Sequence, residues 1–526
     1  MSAFFTLNRM FSVSSLLLSL VFLAPGAGIT QELSSVFSGI SGISAPDLGL
    51  DSGSAPAPTQ APAVPDTQTM LLDDNNDAWL ARWHVIEKAE KTLDIVYFAL
   101  FDDAYGRAFM GLLHKKAREG VKIRMLIDYR GGAKTSNRLF DRDILVELSR
   151  LPNVEIKIYN PVFRYLPTIL TKGIKSVWTS NHDKLVIADG QWLITGGRNI
   201  WFHFFTSYAQ DPKAYVDTDV LFRGTRIAAE ATMAFESEYL LDRSKLLKPG
   251  LADIIGREKL RRKLGFAALS MGNFIRRGTM FKAENENDEE YNKWLAESSA
   301  MKSTYGSFLA RHQVSFAPDA EPLLVRLIDK TSRFGGVNGM TDALIAMVNA
   351  AKKTILIQNP YVIIPKEMKS AIIAAANRGV AIRIFTASPN SSDEPFVQGL
   401  FVNEWKDLIR DIPGVRLFVT LDRPLHSKVF VFDGEVSVVG TYNLDALSQN
   451  LNSEVASVIF SKDFSRSLME SIDSFQKDFG AEYILGRDNN GNEVVVFGPE
   501  NHCPPEKIRK LQGTFSKLAR IMRNLL

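Results

Sequence analysis

The chain has almost no cysteine: Cys503 is the single one among 526 residues. That excludes an intrachain disulfide framework and a cysteine-rich zinc site. Neither sign of charge is in large excess, with 62 Lys and Arg against 59 Asp and Glu, and hydrophobic residues make up 45%. Wholesale disorder needs the opposite combination. Gly (35) and Pro (22) are close to average use, so a collagen-like or low-complexity chain is excluded as well. Long apolar runs are also missing beyond Phe11–Leu23, whose 13 residues are too few to cross a bilayer comfortably. What remains is a globular chain long enough for two to four domains. Seven histidines leave acid–base or metal chemistry open.

Residues 1–30 read as an export signal, with Arg9 before the apolar run and the small residues Ala24, Gly26, Ala27 and Gly28 after it. The alternative is an uncleaved N-terminal anchor, since Pro25 disturbs the cleavage pattern. Either way the protein is expected to be exported, periplasmic or secreted, and soluble or peripheral to a membrane. Residues 31–70 carry four acids, no Lys or Arg, and prolines at 56, 58, 62 and 65. They read as a solvated tether. The first 70 residues hold a net −3, so the body is +6. A mildly basic body suits an anionic substrate, phospholipid or nucleic acid.

From Leu72 the chain alternates. Helical spacing over Asp77–Lys91 and Arg107–Glu119 frames apolar strands at Thr92–Leu100 and Val121–Asp128. A helix at Asp141–Arg150 and a strand at Val154–Tyr159 follow. The pattern predicts an α/β sheet covered by helices. It then recurs: Ala89-Glu90-Lys91-Thr92 is echoed by Ala351-Lys352-Lys353-Thr354, and Gly120–Arg124 by Gly379–Arg383. Drifting offsets imply a duplicated domain with unequal loops. The expected domains are a first repeat at 71–242, a basic and partly helical insertion at 243–320, a second repeat at 321–485, and a C-terminal extension at 486–526.

Each repeat carries one motif. Residues 182–189 read His-Asp-Lys-Leu-Val-Ile-Ala-Asp, and 426–433 read His-Ser-Lys-Val-Phe-Val-Phe-Asp. On an extended strand the His and Lys share a face. That pairs a base or nucleophile with a cation for phosphoryl oxygens. With so few histidines, two chance matches have odds of ~10⁻³ or less. Asp189-Gly190 and Asp433-Gly434 fit hairpin turns, so these two acids read as structural members of the motif. Each returning strand ends in Gly-Gly-Arg-Asn (196–199) or Gly-Thr-Tyr-Asn (440–443), which places Asn199 and Asn443 each 17 residues after its His. Late acids follow in Asp217-Thr218-Asp219 and Asn452-Ser453-Glu454, either of which could orient an imidazole.

At these residues the chain resembles the phospholipase D superfamily, and within it bacterial cardiolipin synthases and similar phosphatidyltransferases. The likeness rests on the paired motifs, on Asn181–Asn199 and Pro424–Glu454, on Asn359-Pro360-Tyr361, and on Ala387–Val402. It spans roughly 72–480. It implies two duplicated α-β-α sandwich repeats packed face to face around one active site. The catalytic set would be His182, Lys184, Asp189, His426, Lys428 and Asp433, with His182 as nucleophile and His426 as general acid and base. Asn199, Asn443, Gly197 and Thr441 would bind the phosphoryl group. Asp219 is assigned to orient His182, and Glu454 to orient His426. No metal and no other cofactor is expected. Gly197 departs from the family's usual Ser or Thr, so the two halves are unequal.

The partner implied is a phospholipid, and a monomer at a membrane surface is expected. The rival readings are an exported metal-independent nuclease and a catalytically silent lipid-binding protein. Nucleic acid is disfavoured because few aromatics are interleaved with the cations. Three segments bear on lipid access. Arg257–Lys282, with eight Lys and Arg against one acid, and the tail with Ile508, Leu511, Phe515, Leu518, Met522 and Leu525 at helical spacing, fit interfacial helices. Pro161–Trp178 is a candidate headgroup loop. The alternative for each is packing on the protein's own body.

Overall fold

The computed structural model describes residues 65–132, 144–161, 178–209, 211–248, 257–277, 321–332, 339–392 and 394–517. Two mixed sheets form its frame. The first has eight strands: β1 Gln68–Leu72, β2 Thr92–Tyr97, β3 Lys122–Asp128, β4 Val154–Tyr159, β5 Leu185–Ala188, β6 Trp192–Gly196, β7 Asp219–Arg223 and β8 Ser244–Leu246. They lie in the order β1-β7-β6-β5-β2-β3-β4-β8. The second has nine: β9 Leu324–Lys330, β10 Thr354–Gln358, β11 Ala381–Ala387, β12 Arg416–Thr420, β13 Val429–Phe432, β14 Val436–Gly440, β15 Glu454–Phe460, β16 Gly480–Arg487 and β17 Glu493–Phe497. Their order is β17-β16-β12-β11-β10-β13-β14-β15-β9.

The duplication is visible strand by strand. β2-β3-β4 and β10-β11-β12 run parallel. In both sheets the antiparallel hairpin that begins within the motif joins the first parallel strand, β5 on β2 and β13 on β10. β1 closes the first sheet on β7, as β9 closes the second on β15. The first repeat therefore starts at Gln68, inside the stretch read as tether.

Helix bounds shift for identifiable reasons. The first helix is Asn75–Lys88, because the Asp74 carboxylate accepts the amides of Asn76 and Asp77. The second starts at Ala104 rather than Arg107. Asp103 caps it through the Gly106 amide, and a Cβ at Gly106 would sit 1.8 Å from the Phe101 carbonyl oxygen. Glycine is required there by close backbone approach.

Both faces of each sheet are covered. On β5, Val186 and Ala188 join the outer core with Trp79, Ile86, Phe109 and Leu113. Leu185 and Ile187 point the other way into a layer shared with Val429 and Val431 of β13. That shared layer is completed by the helices Thr225–Tyr239 and Lys462–Phe479, through Phe235 and Leu468 among others. Strands buried on both faces read as continuous apolar runs, which is how the sequence presents them.

The two basic segments dock on the body. Helix Arg257–Arg277 buries Leu264, Met271, Phe274 and Ile275 in the first repeat's core, and Gly111 of helix Ala104–Arg118 lies against the Leu264 carbonyl. Arg257 and Arg261 pair with buried Glu147. Its apolar side is therefore occupied by protein, which corrects the reading of that side as an interfacial face. In the tail, Ile508, Leu511 and Phe515 pack with Val402 and Cys503 against helix Pro395–Asp411. Leu518, Met522 and Leu525, residues 1–64, and most of the 161–178 loop lie outside the described residues. Among the described residues no helix is long and apolar enough to cross a membrane.

Candidate active site

Two short bridges across the seam place the motifs. The His182 amide donates to the Ser453 carbonyl at 3.2 Å, and the Ser453 amide to Ser180 at 3.0 Å. On the other side of the pseudo-symmetric joint, the His426 amide donates to Val216 at 2.8 Å, and the Val216 amide to Pro424 at 2.8 Å. Each histidine therefore starts beside a late acid of the opposite repeat. His182 Nδ1 lies 3.3 Å from Glu454 Oε1, and His426 Nδ1 lies 2.7 Å from Asp217 Oδ2.

This corrects the orienting pairs. The acids are exchanged between repeats, and the first repeat's acid is Asp217, not Asp219. Strand register gives the reason. Gly196 pairs with Asp219, while Gly440 pairs with Ala456. Asp219 is thus the counterpart of Ala456, and Asp217 that of Glu454. The Asp219 carboxylate instead lies in the first repeat's interior, 2.8 Å from Arg82 and 3.1 Å from Arg198, all three side chains fully buried. Arg82 also bonds Tyr97, and Arg198 bonds the carbonyls of Leu72 and Asp73.

The two acids are held differently. Glu454 accepts the Ser448 hydroxyl at 2.6 Å and the Thr441 hydroxyl at 2.5 Å. Thr441 is thus committed to the acid, not to a phosphoryl oxygen as the sequence reading had it. Its counterpart Gly197 supplies no hydroxyl and gives room instead: a Cβ there would be 2.0 Å from Asp217 Oδ1. Asp217 gains from charge what it lacks in hydroxyls. Burial alone would raise its pKa, but His426, Lys428 and Arg198 together bring it down to about 2. Glu454 is also held below its usual range, because His182, Ser448 and Thr441 outweigh its burial.

Both imidazoles are biased toward neutrality. Burial lowers His182 below its ordinary value, and the Glu454 charge opposes this. His426 falls to about 4, through burial first and then the Lys428 ammonium, against the pull of Asp217. Lys428 Nζ lies 2.9 Å from His426 Nδ1, the same nitrogen that faces Asp217. One nitrogen cannot donate to a carboxylate and accept from an ammonium. The shorter carboxylate contact assigns the proton to Nδ1, leaving Nε2 as the working nitrogen. Lys184 Nζ bonds the His182 carbonyl at 2.6 Å, and Lys428 Nζ bonds that of His426. Burial lowers the Lys184 pKa, with Glu454 and Asp217 opposing. Lys184 in turn acts on His426. The cation of the first motif and the imidazole of the second therefore share one field.

The remaining motif residues divide. Asp189 and Asp433 have φ of 53° and 55°, each followed by a glycine of positive φ, the pattern of a two-residue hairpin. Each carboxylate accepts three consecutive amides, Glu90–Thr92 or Lys352–Thr354, which pins the hairpin to the start of β2 or β10. These contacts make them part of the frame, as their turn chemistry implied, rather than members of the catalytic set in which the resemblance had placed them. Asn199 Oδ1 accepts the Ala99 amide at 3.1 Å, which leaves its Nδ2 to donate elsewhere. Asn443 Oδ1 is buried without a hydrogen bond among the described residues.

Aromatic rings complete the walls. Phe98 meets the His182 ring at 4.6 Å; Phe204 and Tyr215 meet His426 at 5.1 and 5.9 Å. Sequence reasoning missed these rings, together with Asp217 in its role, Ser448, and Asn452, whose Nδ2 is 3.5 Å from His182 Nδ1. Only Asp217 left a usable signal: counting back from the strand ends, Arg223 and Phe460, puts both acids six residues earlier.

A family model described as cardiolipin synthase, PLD-like domain, matches residues 83–237 and 344–478. A cardiolipin synthase of Listeria monocytogenes is 26% identical over 420 residues, 80% of this chain and 70% of that protein. One of Geobacillus kaustophilus is 23% identical over 423 residues, 80% of this chain and 68% of that protein. The solved phosphatidylserine synthase of Haemophilus influenzae superposes with a TM-score of 0.56 at 14% identity. It covers 87% of this chain and 95% of that one, a likeness of fold.

Proposed function

The chain belongs to the PLD-like domain family of cardiolipin synthases, and on that premise we propose that it is a phosphatidyltransferase acting by two displacements at phosphorus. The observation that carries this reading is the exchange of acids across the seam. Each imidazole is fixed by a carboxylate of the other repeat, so neither half has a complete site alone. His182 attacks the phosphodiester of a donor such as phosphatidylglycerol. The bond to the leaving alcohol breaks, and His426, entering this step in its minor doubly protonated form with a second proton on Nε2, supplies that alcohol's proton. An incoming hydroxyl then gives its proton to His426 and attacks phosphorus, and the phosphorus–nitrogen bond breaks. Lys184, Lys428, Asn199 and Asn443 hold the non-bridging oxygens as charge builds on them.

The test is mass spectrometry of phosphatidylglycerol vesicles incubated with the protein. Cardiolipin with free glycerol is the expected outcome. Phosphatidic acid alone would make the protein a lipase, and an unchanged lipid would overturn the reading. The acidic tether and the apolar run before it support action outside the cytoplasm. Contact with anionic lipid is supported by the outward side of helix Arg257–Arg277, where Arg262 and Leu269 are exposed.

A further inference from the structure

The loop between Asn199 and Tyr215 carries a group the mechanism does not use. His203 Nδ1 is bonded to the Asp211 carboxylate. Asp211 is itself fixed, accepting the Lys213 amide at 3.0 Å while its own amide donates to Ser207 at 3.0 Å. The Tyr215 amide bonds the His203 carbonyl at 2.8 Å, which ties the two ends of the loop together. The His203 ring stands edge-on to Trp201 at 4.5 Å, and Trp201 stacks on Phe101 at 4.4 Å. Trp201 also touches Tyr215 and Phe204, the two rings that meet His426. His203, Trp201 and Phe101 are all partly exposed, so this is a surface rather than a core. No hydrogen bond is made by His203 Nε2 among the described residues.

The chemistry of that arrangement is narrow. A carboxylate on Nδ1 fixes the proton there and leaves Nε2 a lone-pair acceptor. It is a polar acceptor in an otherwise aromatic wall, three ring contacts from the imidazole that receives the incoming hydroxyl. We propose that His203, positioned by Asp211, binds the second, non-reacting hydroxyl of a polyol acceptor. The acceptor's reacting hydroxyl is then presented to His426. Water and a simple alcohol have no second hydroxyl to offer, so the contact selects a glycerol-type headgroup. This inference rests on the phosphatidyl-transfer reading. It assigns the acceptor side of that reaction.

The test compares 1,2-propanediol with 1-propanol as acceptors. The full-length protein is given vesicles of phosphatidylglycerol and phosphatidylcholine, and the phosphatidyl alcohols are quantified. The two alcohols share a carbon skeleton and differ by one hydroxyl. Loss of one hydrogen bond lowers the diol preference roughly tenfold in His203→Ala. His203→Gln, which keeps an acceptor atom, restores part of it. Asp211→Asn lowers it as well, because the fixed tautomer is lost. A role confined to loop structure would depress both alcohols equally, so an unchanged ratio in His203→Ala and Asp211→Asn overturns the inference and leaves the transfer reading standing. A wild type that prefers neither alcohol overturns it too, and a wild type that forms neither phosphatidyl alcohols nor cardiolipin overturns both.

Discussion

Replacing Gly197 by alanine is the smallest change that reaches the chemistry. The backbone at Gly197 does not lie in the left-handed region, so alanine is conformationally allowed and only space opposes it. The new Cβ would lie 2.0 Å from Asp217 Oδ1 and 2.6 Å from both Cγ and Oδ2. Contact requires more than 3 Å, so the carboxylate must move by about 1 Å. Its hydrogen bond to His426 is 2.7 Å long, and its side chain is fully buried. A shift of that size destroys the geometry that this bond and the imidazole's placement require. Misplacement by 1 Å typically costs about 10²-fold, so kcat/KM for phosphatidylglycerol is predicted to fall by roughly that factor. The thermal midpoint is expected to drop only modestly, since overpacking one methyl typically costs about 1–3 kcal/mol. The assay is initial-rate lipid turnover beside a melting curve. A folded Gly197→Ala protein within about threefold of wild type would refute the idea that Asp217 fixes His426.

Further predictions bear on the other groups. Asp219→Asn leaves Arg82 and Arg198 buried with a neutral partner and should cost about 3–5 kcal/mol in denaturant melts, while Asp217→Asn should lower turnover by about 10³-fold or more with a small change in stability. Thr441→Ala leaves Glu454 with Ser448 as its remaining hydroxyl partner and should cost only about 3–10-fold in kcat/KM. Chelator should leave turnover intact, since Lys184 and Lys428 supply the positive charge at the phosphoryl group.

Stability should depend on pH through the seam. Burial raises Glu238 to about 7 and Asp128 to about 6, and it raises Asp183 well above its usual range, with Asp329 and Glu238 adding repulsion. Their folded values exceed the unfolded ones, so the stability they lend is complete below about 4 and is lost as pH rises through 6 and 7. Asp217 and Glu454 act in the opposite sense and lose theirs as pH falls below the usual carboxylate range. The thermal midpoint should therefore peak on the acid side of neutrality, and Glu238→Gln should flatten its alkaline fall. A midpoint that climbs steadily to pH 8 would contradict this.

Much of the fold was legible because duplication repeats each signal. The two motifs, the Asp-Gly turns and the apolar runs of β5 and β13 each appear twice, and the structure sets them in equivalent places. Asp189 and Asp433 could be read as structural from their turn chemistry alone. The orienting acids could not be paired from spacing, because Asp217 lies 35 residues after His182 whereas Glu454 lies 28 after His426. That difference is loop length, and the loop that causes it is the one carrying His203. The exchange of acids between repeats was hidden for another reason: it belongs to the seam, and sequence order says nothing about which half faces which. The basic helix misled because amphipathicity is the same whether its apolar side meets lipid or another helix. Here it meets helix Ala104–Arg118.

The central claim is that imidazoles from both halves act in turn on one phosphorus atom. The most direct measurement is mass spectrometry of His426→Asn after brief exposure to phosphatidyl-p-nitrophenol, whose leaving group departs without a proton, quenched in base to preserve phosphorus–nitrogen bonds. The account predicts a phosphatidyl adduct on the peptide that contains His182, accumulating because the second proton transfer is disabled. No adduct there, together with sustained turnover by His182→Ala, would contradict it.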